Sequence, residues 1–276
     1  MPNQGSNLVR RSLGRRLRKL REAAGKKDVD VVEASICTRQ TLWRIETGKS
    51  PVKVPIVRSL CWLYGADNET TDALCNLALG TATEAWWEES YGDVLPSWFK
   101  LYLDLEAGAD EIRTYTSELV HGLFQTAAYA RAVYEAARPE ADEAATQRHV
   151  ELRLQRQKTV LGRTPPARIT SIMSEGALAR VVGSRSTMDD QIAHLRQVAE
   201  REHIDTRVLP FDAGAHAAML GDFALLDFND EEDPALVYLE SEVYARYLEQ
   251  TAQLNEYRRT YDLAYKRSVP ILEYLR

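Results

Sequence analysis

Two arginines and a glutamine stand close together in a stretch that can read DNA bases. Arg39, Gln40 and Arg44 lie within residues 38–49, where the sequence predicts one short helix. An arginine can donate two hydrogen bonds to a guanine edge, and a glutamine can pair with an adenine edge. A helix that presents these side chains together suits the major groove of double-stranded DNA. The residues alone are equally consistent with a surface helix of an all-α domain.

The spacing of the other residues in this stretch predicts which face of the helix is exposed. Leu42 and Ile45 are three residues apart, so they fall on one face and can pack inward. Thr38 is suited to cap the helix N-terminus, and Gly48 is suited to end the helix with a positive φ. Trp43 is then placed on the exposed face with the base-reading side chains.

A second group of polar side chains lies near the ends of predicted strands in the C-terminal half: Arg113, Tyr115, Gln125, Glu175, His216 and Glu240. In an enzyme, His216 with Glu175 or Glu240 would be the acid–base pair. No glycine-rich phosphate loop, nucleophile elbow or metal-ligand cluster accompanies them in the sequence. We therefore favour a pocket for a ligand or partner over an active site, and we expect no enzyme activity and no cofactor or metal.

The composition is that of a soluble globular protein, with 45% hydrophobic and 28% charged residues in a chain of 276. No apolar run is long enough to cross a bilayer, and the polar, basic N-terminus does not resemble a secretory signal. The 3 cysteines and 5 histidines show no disulfide or zinc spacing. We expect a cytoplasmic, nucleoid-associated protein.

Charge is divided unevenly along the chain. Residues 1–58 hold 14 Lys and Arg against 5 Asp and Glu, a balance of +9. The remaining residues hold 21 against 36, a balance of −15. A basic segment of this kind attracts phosphate, so the asymmetry predicts a nucleic-acid-binding head on an acidic body.

Hydrophobic periodicity predicts five helices within residues 1–80. The first covers residues 8–24, and the second covers 28–35, with Val31, Val32 and Ala34 turned inward. The third is the stretch described above. A fourth starts near Pro55, and a fifth is capped by Asp67 or Asn68.

This order resembles the lambda-repressor-like helix-turn-helix domain, the xenobiotic-response-element family of bacterial repressors. The matching residues are Leu17, Leu20, Arg21, Ala24, Gly25, Thr38, Arg39, Thr41, Leu42, Arg44, Ile45, Glu46, Gly48 and Lys49. Ile36 stands where the family has Gly in the turn before the third helix, and Ser35 replaces an apolar core residue. The resemblance implies that Arg39, Gln40 and Arg44 face bases, while Thr38 and Lys49 hold phosphate.

The same resemblance implies a partly buried salt bridge between Arg21 and Glu46. It also shows a departure at the start of the second helix, where the family has a phosphate-binding Gln and this chain has Lys27 and Asp28. Asp28 would repel phosphate, and Lys27 would offset that repulsion. Lys27 is therefore a predicted DNA contact. Trp43 is another, because it lies on the exposed face of the third helix.

Residues 81–108 predict an aromatic-rich connector between the two halves. Its large apolar residues are Trp86, Trp87, Tyr91, Leu95, Pro96, Trp98, Phe99, Tyr102 and Leu105. We predict that they form core, because large aromatic side chains are mostly buried and because neighbouring carboxylates oppose nucleic acid.

Residues 109–276 alternate between strand and helix patterns. Predicted strands at 111–117, 168–174 and 204–210 are separated by helices. One of these, at 143–161, is long and charged and is predicted to be half exposed. A hairpin of 223–228 and 236–240 follows, with a polar turn at 229–234. The run from 168 to 210 predicts a parallel crossover. The predicted fold is therefore mainly α with an α+β C-terminal domain, in which helices cover a mixed sheet.

This half resembles the C-terminal domain of unknown function that follows this type of helix-turn-helix in actinobacterial regulators. Among the matching pieces are 93–99, 112–115, 119–126, Arg153, Arg156, Gln157, Glu175, 208–211, His216 and 237–240. His121 stands where that family has Pro. Such regulators are encoded beside a small acidic protein, in developmental or toxin–antitoxin-like pairs.

The resemblance therefore implies a small acidic companion protein as the source of a signal. A small-molecule-sensing repressor and, less favoured, an enzyme-like C-terminal domain are the alternatives. Repressors of the class bind palindromes as dimers, so a homodimer is one arrangement it allows. No coiled-coil seam is visible in the sequence.

Overall fold

The structure, a computed structural model, describes residues 7–81, 97–228, 235–241 and 244–276. These residues belong to two compact units, which we call the head (7–81) and the body (from Ser97 onward). The following predicted connector residues lie outside the described residues: Trp86, Trp87, Tyr91, Leu95 and Pro96. The predicted hairpin turn at 229–234 also lies outside them.

The described part of the head contains five helices, as the sequence predicts. They are α1 (Asn7–Ala23), α2 (Asp28–Glu33), α3 (Arg39–Glu46), α4 (Val54–Tyr64) and α5 (Asn68–Thr81). Their inner faces share one core of aliphatic side chains, among them Leu13, Leu17, Val31, Leu42, Ile45, Val57 and Leu60. The prediction for α2 is wrong at Val32 and Ala34, which are exposed, because so short a helix turns only one face inward.

Side-chain caps and positive φ angles set the ends of these helices. Asp67 Oδ1 accepts a hydrogen bond from Thr70 N at 2.7 Å, so Asp67 rather than Asn68 caps α5. Gly48 ends α3 with φ 68°, as predicted. In the turn before α3 the positive φ of 58° falls on Ser35, an L-residue for which this conformation is strained.

Helix α1 lies unusually close to the end of α3 because residue 14 is a glycine. A Cβ atom added to Gly14 would stand 2.3 Å from Ile45 O and 2.9 Å from Glu46 O. These are main-chain atoms, which cannot rotate away. Only a residue without a side chain lets the two helices approach this closely.

Within the described residues, seven strands of the body form one mixed sheet. They are β1 (Glu111–Thr116), β2 (Arg168–Ser174), β3 (Ile204–Leu209), β4 (Phe223–Asp227), β5 (Leu236–Glu240), β6 (Ala245–Leu248) and β7 (Val269–Pro270). Their order across the sheet is β6-β5-β4-β1-β2-β3-β7. Strands β1, β2 and β3 are parallel, which confirms the predicted crossover, and the other pairs are antiparallel.

Seven helices accompany the sheet in the described part of the body. They are α6 (Ser97–Gly108), α7 (Ala127–Ala137), α8 (Glu143–Leu161), α9 (Gly176–Ala179), α10 (Arg185–Ala199), α11 (Thr251–Arg267) and α12 (Ile271–Tyr274). Helix α6 falls in the range predicted as connector, and its Tyr102 and Leu105 are buried as expected. Among the described helices, none combines the length and apolar character that a membrane span needs.

The two faces of the sheet carry different side chains, because successive residues of a strand point to opposite sides. On one face, Phe223 packs edge-on against Tyr257 and Tyr261 of α11. On the other face, Tyr238 of β5 stacks on Tyr102 of α6, with ring centroids 4.0 Å apart. The position of a polar residue along its strand therefore decides which face of the sheet it lies on.

Candidate nucleic-acid interface and a polar cavity

The outer face of α3 presents the predicted base-reading side chains to solvent. Arg39, Gln40, Trp43 and Arg44 are all exposed, whereas Leu42 and Ile45 are buried in the core of the head. Thr38 Oγ1 accepts from Thr41 N at 3.2 Å and caps the helix. Local sequence thus produces a short, capped helix with one polar face.

Arg39 has an intramolecular partner on the neighbouring helix. Its Nε lies 3.2 Å from Asp28 Oδ2, and both side chains are more than half exposed. An ion pair this exposed is weak, because water competes for both groups. Asp28, the residue that departs from the family pattern, thus holds Arg39 beside the start of α2. The Arg39 guanidinium can still exchange this weak partner for another.

Two lysines flank the exposed face of α3. Lys49 Nζ lies 4.2 Å from the centroid of the Trp43 ring, so the two predicted contacts form one cation–π pair. Lys27 is exposed at the start of α2, where its backbone N donates to Asp30 Oδ2 at 2.6 Å. Both lysines are exposed.

Arg21 and Glu46, the pair implied by the resemblance, are joined in the structure. Arg21 Nε and Nη2 donate to the two carboxylate oxygens of Glu46 at 2.6 and 2.9 Å. Arg21 Nη1 also donates to Lys26 O at 3.1 Å. The hydrogen bond to Glu46 raises the pKa of Arg21. This bidentate pair fastens the end of α3 to α1 and to the chain before α2.

The six residues of the predicted pocket do not all come together in the body. Arg113 lies on the sheet face covered by α11, where its Nη2 donates to Asp227 Oδ2 at 2.6 Å. Burial alone would lower the pKa of Arg113, but Asp227 raises it. Glu175 Oε2 accepts from Phe211 N at 2.7 Å. Arg113 and Glu175 therefore make separate structural contacts.

His216 stands apart from both predicted acid–base partners. Its ring meets Tyr115 edge-on, with centroids 5.7 Å apart, and burial lowers its pKa. Among the described residues, no hydrogen bond or ion pair joins His216 to Glu175 or Glu240. The predicted catalytic pairing has no geometric support.

Tyr115, Gln125 and Glu240 instead line a cavity of about 210 Å³ in the body. Its walls also carry His121, Arg153 and Arg156, which were absent from the predicted site. The sequence did contain a pattern that could have identified the two arginines. Arg153 and Arg156 are three residues apart on α8, so they share one helix face.

Arg156 is neutralised inside the body by a buried carboxylate. Its Nε and Nη2 donate to the two oxygens of Glu106 at 2.6 and 2.7 Å, and Tyr102 Oη donates to the same carboxylate at 2.8 Å. The guanidinium carbon lies 5.4 and 5.3 Å from the ring centroids of Phe99 and Tyr102. The side chains of Arg156 and Glu106 are 7% and 0% exposed, so this is a desolvated ion pair.

Residues 117–126 connect β1 to α7, and glutamine side chains hold the part from 120 to 126 in place. Gln157 Nε2 donates to the carbonyl oxygens of Gly122 and Gln125, each at 2.8 Å. Gln125 Nε2 donates to Val120 O at 2.8 Å, and Gln191 Nε2 donates to Phe124 O at 2.7 Å. The loop is thereby fixed against α8 and α10, and it forms one wall of the cavity.

Gly122 and His121 bring this loop close to the two arginines. A Cβ atom on Gly122 would stand 2.4 Å from Arg153 Nη1 and 2.9 Å from Arg156 Nη1. Burial and the charges of these arginines lower the pKa of His121 to about 3. His121 is therefore neutral near pH 7, and its Nδ1 accepts from Leu123 N at 3.4 Å.

Comparison with known families agrees with the division into head and body. Residues 12–74 match a helix-turn-helix domain, which makes the protein a DNA-binding transcriptional regulator of the helix-turn-helix class. Residues 99–272 match the domain of unknown function DUF5753, and the chain belongs to that family. No curated protein and no solved structure matches the chain.

Proposed function

We propose that α3 reads a specific operator in the major groove of double-stranded DNA. The observation that supports this is the exposed set of Arg39, Gln40 and Arg44 on a capped helix whose other face is buried. Arginine and glutamine are the side chains that discriminate guanine and adenine edges best. Because the ion pair of Arg39 with Asp28 is exposed and weak, base contact can displace that partner at little cost.

The positioning contacts in this proposal come from Thr38, Lys49 and Lys27, with Trp43 held by Lys49. Contacts of this kind go to phosphate and set the register without reading sequence. The +9 balance of residues 1–58 supplies general attraction to DNA, and the −15 balance of the remainder opposes it. Binding by the head would place the protein on the nucleoid.

Replacing Arg39 by alanine should remove about 1–3 kcal/mol of discrimination between operator and random DNA, the usual value of a bidentate base contact. Operators identified by genome-wide immunoprecipitation supply the specific duplex, and fluorescence anisotropy measures both affinities. Arg58→Ala is the matched control, because it removes the same charge from an exposed site on α4. Arg58→Ala should weaken binding to the operator and to random DNA alike. An unchanged operator-to-random ratio in Arg39→Ala would contradict the assignment.

We further propose that the body receives a signal from a small acidic companion protein. Support comes from the family resemblance and from the size of the body, which is far larger than DNA binding requires. Binding of the companion should change operator affinity by a coupling of about 1–3 kcal/mol. Co-expression and pull-down, followed by an operator titration with and without the companion, measure this. A complex with unchanged DNA affinity, or no complex, counts against it.

A small-molecule signal is the second candidate, and one observation favours it. The cavity beside Arg153 is bounded by charged and aromatic residues of the body and has room for a small molecule. Domain-internal pockets of mixed polarity are where proteins bind ligands. A homodimer on a palindromic operator is compatible with either signal, and sedimentation with and without operator would test it.

A further inference from the structure

Three polar groups at the cavity have no partner in the part of the chain that the structure describes. Gln125 Oε1 and Thr116 Oγ1 are buried atoms without a hydrogen bond, and the Gln125 side chain as a whole is only 3% exposed. Arg153 makes no hydrogen bond or ion pair with any described residue. Arg153 is half-buried, whereas the Gln125 and Thr116 oxygens are buried. Buried polar atoms are normally satisfied, so two unsatisfied oxygens in a cavity that also holds an unpaired arginine call for an explanation.

The charge of Arg153 is the central feature of this cluster. Its neighbour Arg156 is already neutralised by Glu106, whereas Arg153 stands beside Arg156 and is repelled by it. Burial and this repulsion lower the pKa of Arg153 to about 10, so it is still charged at neutral pH. Glu240 acts on it only through space, and burial raises the pKa of that carboxyl group. Asp222 also lines the cavity, but its carboxylate accepts hydrogen bonds from Ser117 rather than from Arg153. Among the described residues, Arg153 is therefore a cation whose hydrogen-bond donors are available to a ligand.

The remaining walls of the cavity are largely aromatic or aliphatic. Phe99, Tyr102 and Tyr238 contribute rings, and Val120 contributes an aliphatic side chain. At about 210 Å³, the cavity exceeds the roughly 150 Å³ of an engineered protein cavity that holds benzene. One ring-sized apolar group with a charged substituent fits these dimensions.

We propose that this cavity binds a small organic anion. Its carboxylate or phosphate accepts hydrogen bonds from Arg153, and its apolar part lies among the aromatic side chains of α6 and β5. A hydrogen-bond donor on the ligand reaches Gln125 Oε1. This inference deepens the second candidate function, the sensing of a small molecule. Binding is measurable without DNA, so its failure is distinguishable from failure of the proposed operator reading.

Calorimetric titration of the full-length chain with simple anions tests the proposal. Benzoate and phenyl phosphate each place an anionic group on one ring, and benzamide is the neutral counterpart of benzoate. We expect saturable binding of at least one of the two anions at millimolar concentration, one per chain, and no binding of benzamide. Comparison of benzoate with phenyl phosphate distinguishes a carboxylate ligand from a phosphate ligand.

Variants on α8 locate the binding site. Arg153→Gln should weaken anion binding at least about tenfold, because a charge-assisted hydrogen bond is lost. Arg153→Lys should retain part of the affinity. Lys158→Gln removes a positive charge from an exposed position of the same helix and should leave binding unchanged.

A measurement on the wild-type chain covers the case in which Arg153→Gln does not fold, as judged by circular dichroism. Phenylglyoxal modifies accessible arginines, and mass spectrometry maps the modified positions. Bound benzoate or phenyl phosphate should protect Arg153 and leave Arg58 unprotected. The proposal is overturned if neither anion binds saturably, if benzamide binds as well as benzoate, or if the anion binds without affecting either Arg153→Gln affinity or Arg153 modification.

Discussion

Replacing Arg156 by methionine should lower the free energy of unfolding by about 3–5 kcal/mol. Arg156 donates two hydrogen bonds to Glu106, whose side chain is fully buried. Without the guanidinium, Tyr102 would be the remaining donor to the Glu106 carboxylate among the described residues. The carboxylate would then be an uncompensated charge in the core. Urea denaturation of the full-length chain, followed by circular dichroism, measures the loss.

Two further variants separate this effect from a general loss of charge. Arg131→Met breaks an ion pair with Glu143 in the same unit, but 78% of the Glu143 side chain is exposed, so the cost should be at most about 1 kcal/mol. The double variant Glu106→Leu/Arg156→Met removes both buried charges and should recover much of the stability lost in Arg156→Met. If Arg131→Met and Arg156→Met cost the same, the buried pair is not what stabilises the body.

The stability that this pair contributes should depend on pH in a defined direction. Burial alone would raise the pKa of Glu106, but Arg156 outweighs burial and lowers it below the ordinary 4.5. The unfolded chain therefore takes up a proton before the folded chain does as the pH falls. The contribution is complete above about pH 4.5 and is lost as the pH falls through the lower folded value. The deficit of Arg156→Met should shrink in acid.

Replacing Glu46 by alanine should destabilise the head by about 3 kcal/mol, the lower end of the range for a buried pair. The side chains of Arg21 and Glu46 are 15% and 9% exposed, so the orphaned guanidinium would be largely desolvated. The end of α3 would also lose its tie to α1, and operator affinity should fall with stability. Urea denaturation followed by circular dichroism measures the loss of stability, and fluorescence anisotropy measures operator affinity.

Glu22→Ala is the matched control for this second variant. Glu22 pairs with Arg18 on the same helix, but both side chains are more than half exposed, so stability should be nearly unchanged. Arg21→Lys keeps the charge but loses the two-pronged geometry, and it should lie between Glu46→Ala and wild type. Equal stability of Glu46→Ala and Glu22→Ala would show that the Arg21–Glu46 pair contributes nothing to the stability of the head.

The head could be predicted well from sequence because its signals are local. The cap at Thr38 and the positive φ at Gly48 are decided by residues within one helical turn. The same holds in the body for α8, where the Asp142 cap and the following Gly162 agree with the predicted bounds of 143–161. Helix periodicity and capping are read from neighbouring positions, so no knowledge of distant contacts is needed.

The polar site of the body could not be predicted in the same way, because it depends on register. Arg113 and Thr114 are adjacent in β1, yet one points toward α11 and the other toward the opposite face. Sequence proximity to a strand end does not say which face a side chain takes. Arg156 was hard to place for a different reason. A buried arginine interrupts the apolar pattern of α8, so the pattern predicts a half-exposed helix.

Several elements of the body were not predicted at all. Strand β6 has four residues, Ala245–Leu248, of which only Leu248 is buried, and β7 has two, Val269–Pro270. Strands this short carry too few side chains for an alternating pattern. Helix α6 was predicted only as aromatic connector, because its apolar residues surround the helix and leave no polar stripe to define a period.

The close approach at Gly14 limits how the regulator can be switched. Since Gly14 places α1 against the main chain of Ile45 and Glu46, the end of α3 cannot move closer to α1. A signal received by the body, as proposed above, would then act on α1 and α3 together. It would change how often the head is available to an operator rather than which bases α3 prefers. Under this proposal, the amount of binding and the choice of sequence are controlled separately.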